Sequence, residues 1–167
     1  MIYEFNGITI RTDLRPGDIG FVTYLHGHLY SKEYQYAISF EAYVAQGLFE
    51  FYKNYDPQKD RVWICEDQNR FIGFLLLMHR ENNLAQLRYF LLLPEYRGKG
   101  IGSRLMQLFL EFLKEKGYHG SFLWTTREQE MAASLYKRYG FELTEEKDSN
   151  AFGKPLIEQR YELFLAG

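Results

Sequence analysis

The feature that most constrains the fold is a glycine-rich loop at residues 94–102, between two strongly patterned segments. A short apolar run at residues 89–93 has the character of a strand, and an amphipathic helix pattern begins directly after the loop. Gly98, Gly100 and Gly102 remove side chains from the loop, so successive backbone N–H groups can close on a ligand. The N-terminus of the following helix favours anions. The segment therefore predicts a binding site for a pyrophosphate.

The spacing of the loop distinguishes it from two common phosphate-binding motifs. The sequence has no window of the Walker A form G-x-x-x-x-G-K-[S/T]. The Rossmann fingerprint places its third glycine one residue later, where this chain has Ser103. The pattern that fits is [Gln/Arg]-x-x-Gly-x-Gly at residues 97–102, with positive charge from Arg97, Lys99 and Arg104. This pattern resembles the acetyl-CoA loop of the GNAT N-acetyltransferase family.

A second segment downstream resembles the other signature of that family, A-x-x-L-Y-x-x-x-G-F. The matching residues are Ala132, Leu135, Tyr136, Gly140 and Phe141. The resemblance covers most of the chain and is most specific over residues 84–141. It implies the GNAT acyl-CoA N-acyltransferase fold, an α/β (mixed α+β) architecture whose mostly antiparallel central sheet is flanked by helices and splayed at the cofactor site. We therefore expect residues 1–167 to form a single GNAT domain.

The hydrophobic pattern agrees with the strand and helix order of that fold. It predicts strands at 8–11, 61–66, 71–78, 84–93, 121–126, 141–146 and 156–165, and helices at about 17–29, 39–55, 101–116 and 132–139. Ser39 is the expected N-cap of the second helix, with Ile38 and Tyr43 forming a hydrophobic staple. The strands at 61–93 are joined by short turns and predict an antiparallel meander.

The composition is that of an ordinary globular protein, with 46% hydrophobic and 25% charged residues in 167. Aromatic residues reach 18%, which fits either an aromatic core or an aromatic-lined pocket. Cys65 is the only cysteine, so an internal disulfide framework is excluded, and we expect no metal site. A net charge of −2 without a basic block argues against nucleic-acid binding. With no recognisable signal peptide or membrane span, we expect a cytoplasmic protein without a membrane partner.

The resemblance implies that acetyl-CoA binds between the strands at 84–93 and 121–126. The expected cofactor-binding residues are Phe90, Leu91, Leu92, Arg97, Gly98, Lys99, Gly100, Ile101, Gly102, Ser103, Gln129, Ala132 and Tyr136. By the same resemblance the backbone N–H of Leu92 holds the oxyanion, a contribution typically worth about 2.7–4 kcal/mol. Gln129 stands where the family often has an asparagine.

Tyr136 occupies the position of a tyrosine that, in the family, protonates the departing CoA thiolate. Its ordinary pKa near 10 keeps the hydroxyl protonated at neutral pH. The alternative is a half-buried packing residue. Cys65 lies outside the motifs, so direct attack by the amine in a ternary complex is expected rather than a covalent acetyl-enzyme.

Gln86 stands where some members of the family carry a glutamate base, and a glutamine cannot accept the proton. Presenting a lysine-like amine in its neutral form at pH 7 costs roughly 4–5 kcal/mol, whereas an α-amine costs only about 1 kcal/mol. The acceptor is therefore a low-pKa amine, or another base is present. His26 and Glu33 are the candidates for that base, and His28 and Trp124 are candidates for acceptor binding. For each, a solvated or core role is the alternative.

Residues 26–34 and 152–157 are also similar to the acetyltransferase half of proteins that carry a MarR-type DNA-binding domain. No DNA-binding half is recognisable in the sequence, and the similarity names no substrate. Two other functions stay open: an acetyl-CoA sensor without turnover, and an acyltransferase that uses a longer acyl-CoA. We expect the acceptor to be a small-molecule or peptide amine, and a homodimer is compatible with the sequence.

Overall fold

The computed structural model describes residues 1–166, and its centre is one eight-stranded sheet. The strands are β1 Ile2–Phe5, β2 Ile8–Arg11, β3 Arg61–Asp67, β4 Arg70–Arg80, β5 Leu84–Leu92, β6 Gly120–Thr126, β7 Glu142–Ser149 and β8 Leu156–Phe164. The α-helices are α1 Asp18–Tyr34, α2 Ile38–Lys53, α3 Ile101–Glu115 and α4 Glu130–Arg138, with short 3₁₀ turns at Glu81–Asn83 and Pro94–Tyr96. No helix within residues 1–166 is long and apolar enough to cross a membrane.

The sheet opens between β5 and β6. Its strand order is β1-β2-β3-β4-β5-β6-β8-β7, and every neighbouring pair is antiparallel except β5 with β6. That parallel pairing runs only from Leu84 opposite Gly120 to Gln86 opposite Phe122. The predicted mixed sheet, its splay and the β3–β5 meander are confirmed. Beyond Gln86, the backbone of β5 has no strand neighbour on the side of β6, so its N–H and C=O groups there are available to a ligand.

A bulge bends β5 just past the opening. The pairing with β4 shifts register between Phe74 and Leu76, and Tyr89 has a φ of 57°. This left-handed conformation costs a residue other than glycine roughly 1–2 kcal/mol. A bulge increases local bending and twist, so it carries the end of β5 away from β6.

Two helical layers cover the two faces of the sheet. Successive β3 residues alternate between them, as the period of two in a strand requires: Val62 and Ile64 pack with α2, and Trp63 packs with α3. Phe109 is fully buried and its ring centre lies 6.0 Å from that of Trp63. Each such buried side chain contributes about 1.5–3 kcal/mol, so both helical layers are fixed mainly by apolar burial.

The helix boundaries near residue 38 differ from the prediction. The cap of α2 is Ala37, without a side-chain hydrogen bond, and Ser39 lies inside the helix. Ile38 is 75% exposed and Tyr43 is 50% exposed, so the predicted staple is wrong. The reason is a tertiary contact, because the Ala37 N–H donates to the carbonyl of Phe152 at 2.9 Å and sets the start of the helix.

Other differences concern the ends of elements. β1 was not predicted, and it pairs with β2 at the edge of the sheet. α1 continues past the expected end near residue 29 to Tyr34, where Gln35 takes a left-handed φ of 61°. The extra turn matters because it brings Tyr30 and Glu33 to the gap between β5 and β6.

Candidate active site

Two cavities meet where β5 and β6 separate. The larger, about 600 Å³, lies between the glycine-rich loop and α4, and we call it the loop cleft. The smaller, about 100 Å³, lies beneath α1 and α2, and we call it the aromatic cavity. Four side chains line both and so mark the junction: Tyr30, Phe90, Gln129 and Tyr136. The loop cleft has the size of a typical ligand site.

Backbone conformation shapes the floor of the loop cleft. Gly98 has a φ of 74° and Gly100 a φ of 85°, a region that glycine tolerates and other residues do not. Gly100 is also the N-cap of α3, which points the free N–H groups of the first turn towards the cleft. A Cβ on Gly102 would lie 3.4 Å from Leu135, inside the cleft. The arrangement suits the phosphate groups of a nucleotide-containing cofactor.

The cofactor residues expected from the sequence line the loop cleft, with two exceptions. The side chain of Ile101 is buried in the core under α3. The ammonium of Lys99 lies 5.4 Å from the centre of the Tyr96 ring, outside the lining of the cleft. Any contact of these two residues with a cofactor would therefore be made by their backbone atoms.

Arg97 and Glu33 form an ion pair at the edge of the loop cleft. Nη1 of Arg97 donates to a carboxylate oxygen of Glu33 at 2.7 Å, and Nε donates to the carbonyl of Leu92 at 3.2 Å. Glu33 thus lies beside the loop rather than in the aromatic cavity. A phosphate at Arg97 would compete with this carboxylate.

The backbone of Leu92 faces the open side of β5. The N–H of the next residue, Leu93, donates to the carbonyl of Ile72 at 2.9 Å, towards β4. Because N–H directions alternate along a strand, the N–H of Leu92 points the other way, into the loop cleft. The carbonyl of Leu92 faces the same side, where it accepts from Arg97.

Tyr136 stands between the two cavities. It is only 6% exposed, and its ring lies 6.3 Å from that of Phe90 and 6.1 Å from that of Phe141. Burial raises the pKa of its hydroxyl, which therefore stays protonated at neutral pH. No hydrogen bond to this hydroxyl occurs within residues 1–166, so it is available to donate to a ligand.

The aromatic cavity is walled by rings from distant parts of the chain. They include Tyr30, Phe40, Tyr43, Phe90, Trp124 and Phe152. Tyr30 stacks on Phe40 with ring centres 4.8 Å apart, and Phe152 meets Phe40 edge-on at the same separation. These contacts hold α1 and α2 against Phe152.

His26 lies in this cavity and His28 does not. His26 is 2% exposed, and its Nδ1 lies 2.8 Å from the carbonyl oxygen of Val22. Burial lowers the pKa of His26 to about 4, so the ring is neutral at pH 7. Nδ1–H then donates to Val22, which leaves the lone pair on Nε2. His28 is exposed on α1, stacked on Tyr24, and lines neither cavity.

Trp124 and Gln86 both line the aromatic cavity. The ammonium of Lys147 lies 4.5 Å from the centre of the Trp124 ring. The side-chain oxygen of Gln86 accepts from Nε of Arg80 at 2.8 Å. No cluster of His, Cys, Asp or Glu that would hold a metal ion occurs in the described part of the chain.

Several residues of the site were missed by sequence reasoning. Tyr30 was one, although it follows His26 by one helical turn and so shares its face of α1. The others are Arg88, Tyr89, Thr125 and Glu158, which line the aromatic cavity. They belong to no motif, and their strands bring them together only through the sheet order.

Comparison with known proteins places this geometry among acetyltransferases. The model of the "Acetyltransferase (GNAT) family" matches residues 26–141. An uncharacterized N-acetyltransferase, YjgM, from Escherichia coli (strain K12) is 30% identical over 98 residues, which are 57% of this chain and 59% of that protein. The chain spans about half the length of the curated relatives it matches: 59% of YjgM, and 40% and 55% of two further N-acetyltransferases, from Methanocaldococcus jannaschii and Schizosaccharomyces pombe.

Solved structures of low sequence identity share the fold. A GNAT acetyltransferase from Staphylococcus aureus Mu50 superposes with a TM-score of 0.78 at 19% identity, covering 95% of this chain and 99% of that one. YncA of Salmonella typhimurium, a putative acetyltransferase solved with acetyl-CoA, gives 0.74 at 18% identity, covering 96% and 95%. At these identities, the likeness establishes the architecture of the chain.

Proposed function

Because the chain belongs to the GNAT family of acetyltransferases, we propose that it is an N-acetyltransferase that transfers the acetyl group of acetyl-CoA to a primary amine. The observation that carries the proposal is the meeting of the two cavities at Tyr136 and Phe90. One cavity suits a long phosphate-bearing cofactor and the other a small acceptor. A thioester placed at the junction would be open to an amine from the second cavity.

We assign the loop cleft to acetyl-CoA. The pyrophosphate would bind the N–H groups of the loop and the first turn of α3, with Arg97 nearby. The pantetheine would follow the unpaired edge of β5 from Leu92 to Phe90, facing Gln129 and Ala132 on the opposite wall. The acyl group would then reach the junction of the cavities.

The proposed reaction is a direct attack within a ternary complex. The neutral amine forms a C–N bond to the acetyl carbon, and the N–H of Leu92 holds the oxyanion. When the C–S bond breaks, the Tyr136 hydroxyl donates its proton to the thiolate and is later reprotonated from solvent. The proton of the attacking amine leaves through a base or water.

Geometry favours His26 as the group that receives that proton. Its Nε2 carries the lone pair, and the ring lines the aromatic cavity. Glu33 is held by Arg97 in the loop cleft, and His28 lies outside both cavities. With a pKa of about 4, His26 would pass this proton on to solvent rather than retain it.

A covalent acetyl-enzyme has no support from the position of Cys65. The thiol is fully buried in β3, and burial raises its pKa to about 12. It lines neither cavity. A thiol in this state is a poor nucleophile, which favours direct transfer.

The proposal is tested by measuring CoA release from acetyl-CoA across a panel of amines, amino acids and peptides. Turnover with at least one acceptor is expected. Acetyl-CoA binding without turnover on the whole panel would favour the sensor instead, and a preference for octanoyl-CoA would favour the longer-chain acyltransferase. The single-domain organisation, cytoplasmic location, possible homodimer and resemblance to MarR-linked acetyltransferases stay predictions.

A further inference from the structure

We propose that the acceptor is an amine that also carries a carboxylate, as an amino acid does, and that Arg88, Tyr89 and Tyr43 hold that carboxylate. This inference rests on the proposed acetyltransferase function and names the class of its acceptor. The three residues come from β5 and α2 and all line the aromatic cavity.

Arg88 supplies a cation that has no anionic partner. Its guanidinium donates through Nη2 to the Tyr43 hydroxyl at 3.2 Å and forms no ion pair with a carboxylate within residues 1–166. Its Cζ lies 4.6 Å from the centre of the Tyr89 ring and 5.6 Å from that of Tyr43. The two rings therefore position the guanidinium while its remaining donors stay free for a planar carboxylate.

The Tyr89 hydroxyl is a buried donor without a partner. Tyr89 is 9% exposed, and its hydroxyl has no hydrogen bond in the described part of the chain. Burial raises the pKa of Tyr89 to about 12, so the proton is retained. Leaving such a group unpaired is unfavourable, and an oxygen from a ligand would satisfy it.

Arg88 and Tyr89 converge on one point beside α2. A Cβ on Gly47 would overlap the Tyr89 hydroxyl and would lie 3.0 Å from Nη2 of Arg88. Since Tyr43 accepts from Arg88, its own hydroxyl proton is also free to donate. A guanidinium and two phenol hydroxyls, all able to donate, thus lie close together near Gly47. The left-handed backbone at Tyr89 is what aims its side chain there, in keeping with strain held at functional sites.

The place of these donors fits the proposed chemistry. Tyr89 is followed directly by Phe90, which lines the junction where the acetyl group would lie. The proposed carboxylate donors and the proposed point of transfer therefore come from adjacent residues of β5 and line the same cavity, as an acceptor that carries both an amine and a carboxylate requires.

The opposite charge in the cavity is Glu158 on β8. It forms no ion pair within residues 1–166, and it lies opposite Thr126 on β6 and Lys147 on β7. A zwitterion complements both Arg88 and Glu158. A polyamine would match Glu158 alone and would be repelled by Arg88, so the pair of charges favours the amino acid.

The test compares the natural α-amino acids with their amides and with the matching amines that lack the carboxyl group. Wild type should turn over at least one amino acid with a kcat/KM about tenfold or more above that of its amide. Removing the carboxylate charge lowers the pKa of the amine, so amine basicity alone predicts the reverse order. Amides or spermine used as well as the acids would overturn the inference and leave the acetyltransferase function standing.

Two variants locate the carboxylate site. Arg88→Gln should lower kcat/KM for the amino acid about tenfold to about a hundredfold, with the amide changed less than about twofold. Tyr89→Phe, which removes one oxygen, should give a smaller loss in the same direction. Arg70→Gln, which removes an exposed guanidinium outside both cavities, is the matched control. Equal losses on acid and amide would contradict the assignment.

A lack of turnover on every amine would refute the proposed function without ending this test. Calorimetry of the amino acids and their amides against the protein with CoA then measures the same preference. Tighter binding of the acid, weakened by Arg88→Gln, would support the carboxylate site, and equal binding of acid and amide would refute it.

Discussion

The loop cleft and the aromatic cavity share a wall, but backbone atoms shape the first and side chains shape the second. The loop cleft is shaped by backbone: Gly98 and Gly100 at positive φ, the N-terminus of α3 and the unpaired edge of β5. The aromatic cavity is shaped by side chains, such as Phe40 and Phe152, which lie far apart in sequence.

This difference separates what each cavity can recognise. Backbone N–H groups in a fixed loop bind any phosphate that fits, whatever the neighbouring side chains, so the loop cleft suits a common cofactor. Side chains on α1, α2, β5, β6 and β8 can each be substituted without altering the others, so the lining of the aromatic cavity can be specific for a particular acceptor. Substitutions in the first region should alter cofactor binding, and those in the second should alter acceptor choice.

The largest effect is expected where the regions meet, at Tyr136. Tyr136→Phe removes the proposed proton donor to sulfur and should lower kcat about 10²-fold to about 10⁴-fold, the usual contribution of general acid catalysis. The dissociation constant of acetyl-CoA, measured by calorimetry, should stay within about twofold because the ring remains.

Tyr52→Phe, on the exposed face of α2, is the matched control and should leave kcat unchanged. If kcat in Tyr136→Phe stays near wild type while binding also holds, Tyr136 is a packing residue and the junction has another acid.

The next effect should be confined to the loop cleft. Gly102→Val places methyl groups beside Leu135 and Phe90, where a Cβ already has neighbours at 3.4 and 3.6 Å. By blocking approach to the N–H groups of α3, it should weaken acetyl-CoA about a hundredfold, as expected for losing one or two hydrogen bonds to a charged group. Isothermal calorimetry measures this directly.

Gly20→Ala is the control, since a Cβ at Gly20 meets nothing within 4 Å. Thermal unfolding of both variants should remain close to wild type. If Gly102→Val binds acetyl-CoA normally, the phosphates do not lie on this turn.

The same contrast explains how far the sequence predicted the structure. The loop at Gly98–Gly102 was identified because positive φ and close backbone approach require glycine, a requirement that is local and visible in the sequence. The strand order and the splay followed from the resemblance, and hydrophobic periodicity located the central elements. The boundaries failed where a distant contact decides them, as at Ala37 and Phe152.

The acceptor side could not be predicted in the same way. In the sequence, Arg88 looks like an ordinary polar residue of a strand. Only the bulge at Tyr89 and the absence of a side chain at Gly47 allow the Tyr89 hydroxyl to lie near its guanidinium. His28 looked as suitable as His26, since neither the period of α1 nor the side chains themselves fix which ring faces inward. Such arrangements depend on packing between elements that share no local pattern.

The next prediction concerns stability in the aromatic cavity. Because burial lowers the pKa of His26 to about 4, the folded state binds fewer protons than the unfolded state between about pH 4 and the ordinary value near 6.5. The contribution of neutral His26 to the free energy of unfolding is therefore complete above pH 6.5 and is lost as the pH falls. Between pH 7 and pH 5, the free energy of unfolding should drop by about 2 kcal/mol from this group.

Urea denaturation at both pH values measures the drop, and His26→Asn should remove it while keeping a donor towards Val22. A loss of the same size in His26→Asn would place the titrating group elsewhere. In wild type, an inflection of kcat/KM near pH 6.5 would show that the ring takes up protons in its ordinary range, against its burial.

The smallest effect tests whether Glu33 belongs to the loop cleft or to the acceptor. Glu33→Gln releases Arg97 from its carboxylate partner at 2.7 Å, so a phosphate no longer competes for the guanidinium. Exposed ion pairs are worth about 0.2–1 kcal/mol, so acetyl-CoA should bind up to about fivefold tighter, and less so at high salt. Calorimetry at two salt concentrations measures both changes.

Asp13→Asn, which breaks the exposed pair with Arg15 outside the cleft, should leave the affinity unchanged. Tighter binding in Glu33→Gln with kcat preserved would mean that Glu33 restrains the loop and takes no part in proton transfer. A fall in kcat at unchanged affinity would instead make Glu33 the base. Arg97 would then have to release Glu33 when the cofactor binds. Cofactor binding in the loop cleft would in that case free a group that acts on the acceptor in the aromatic cavity.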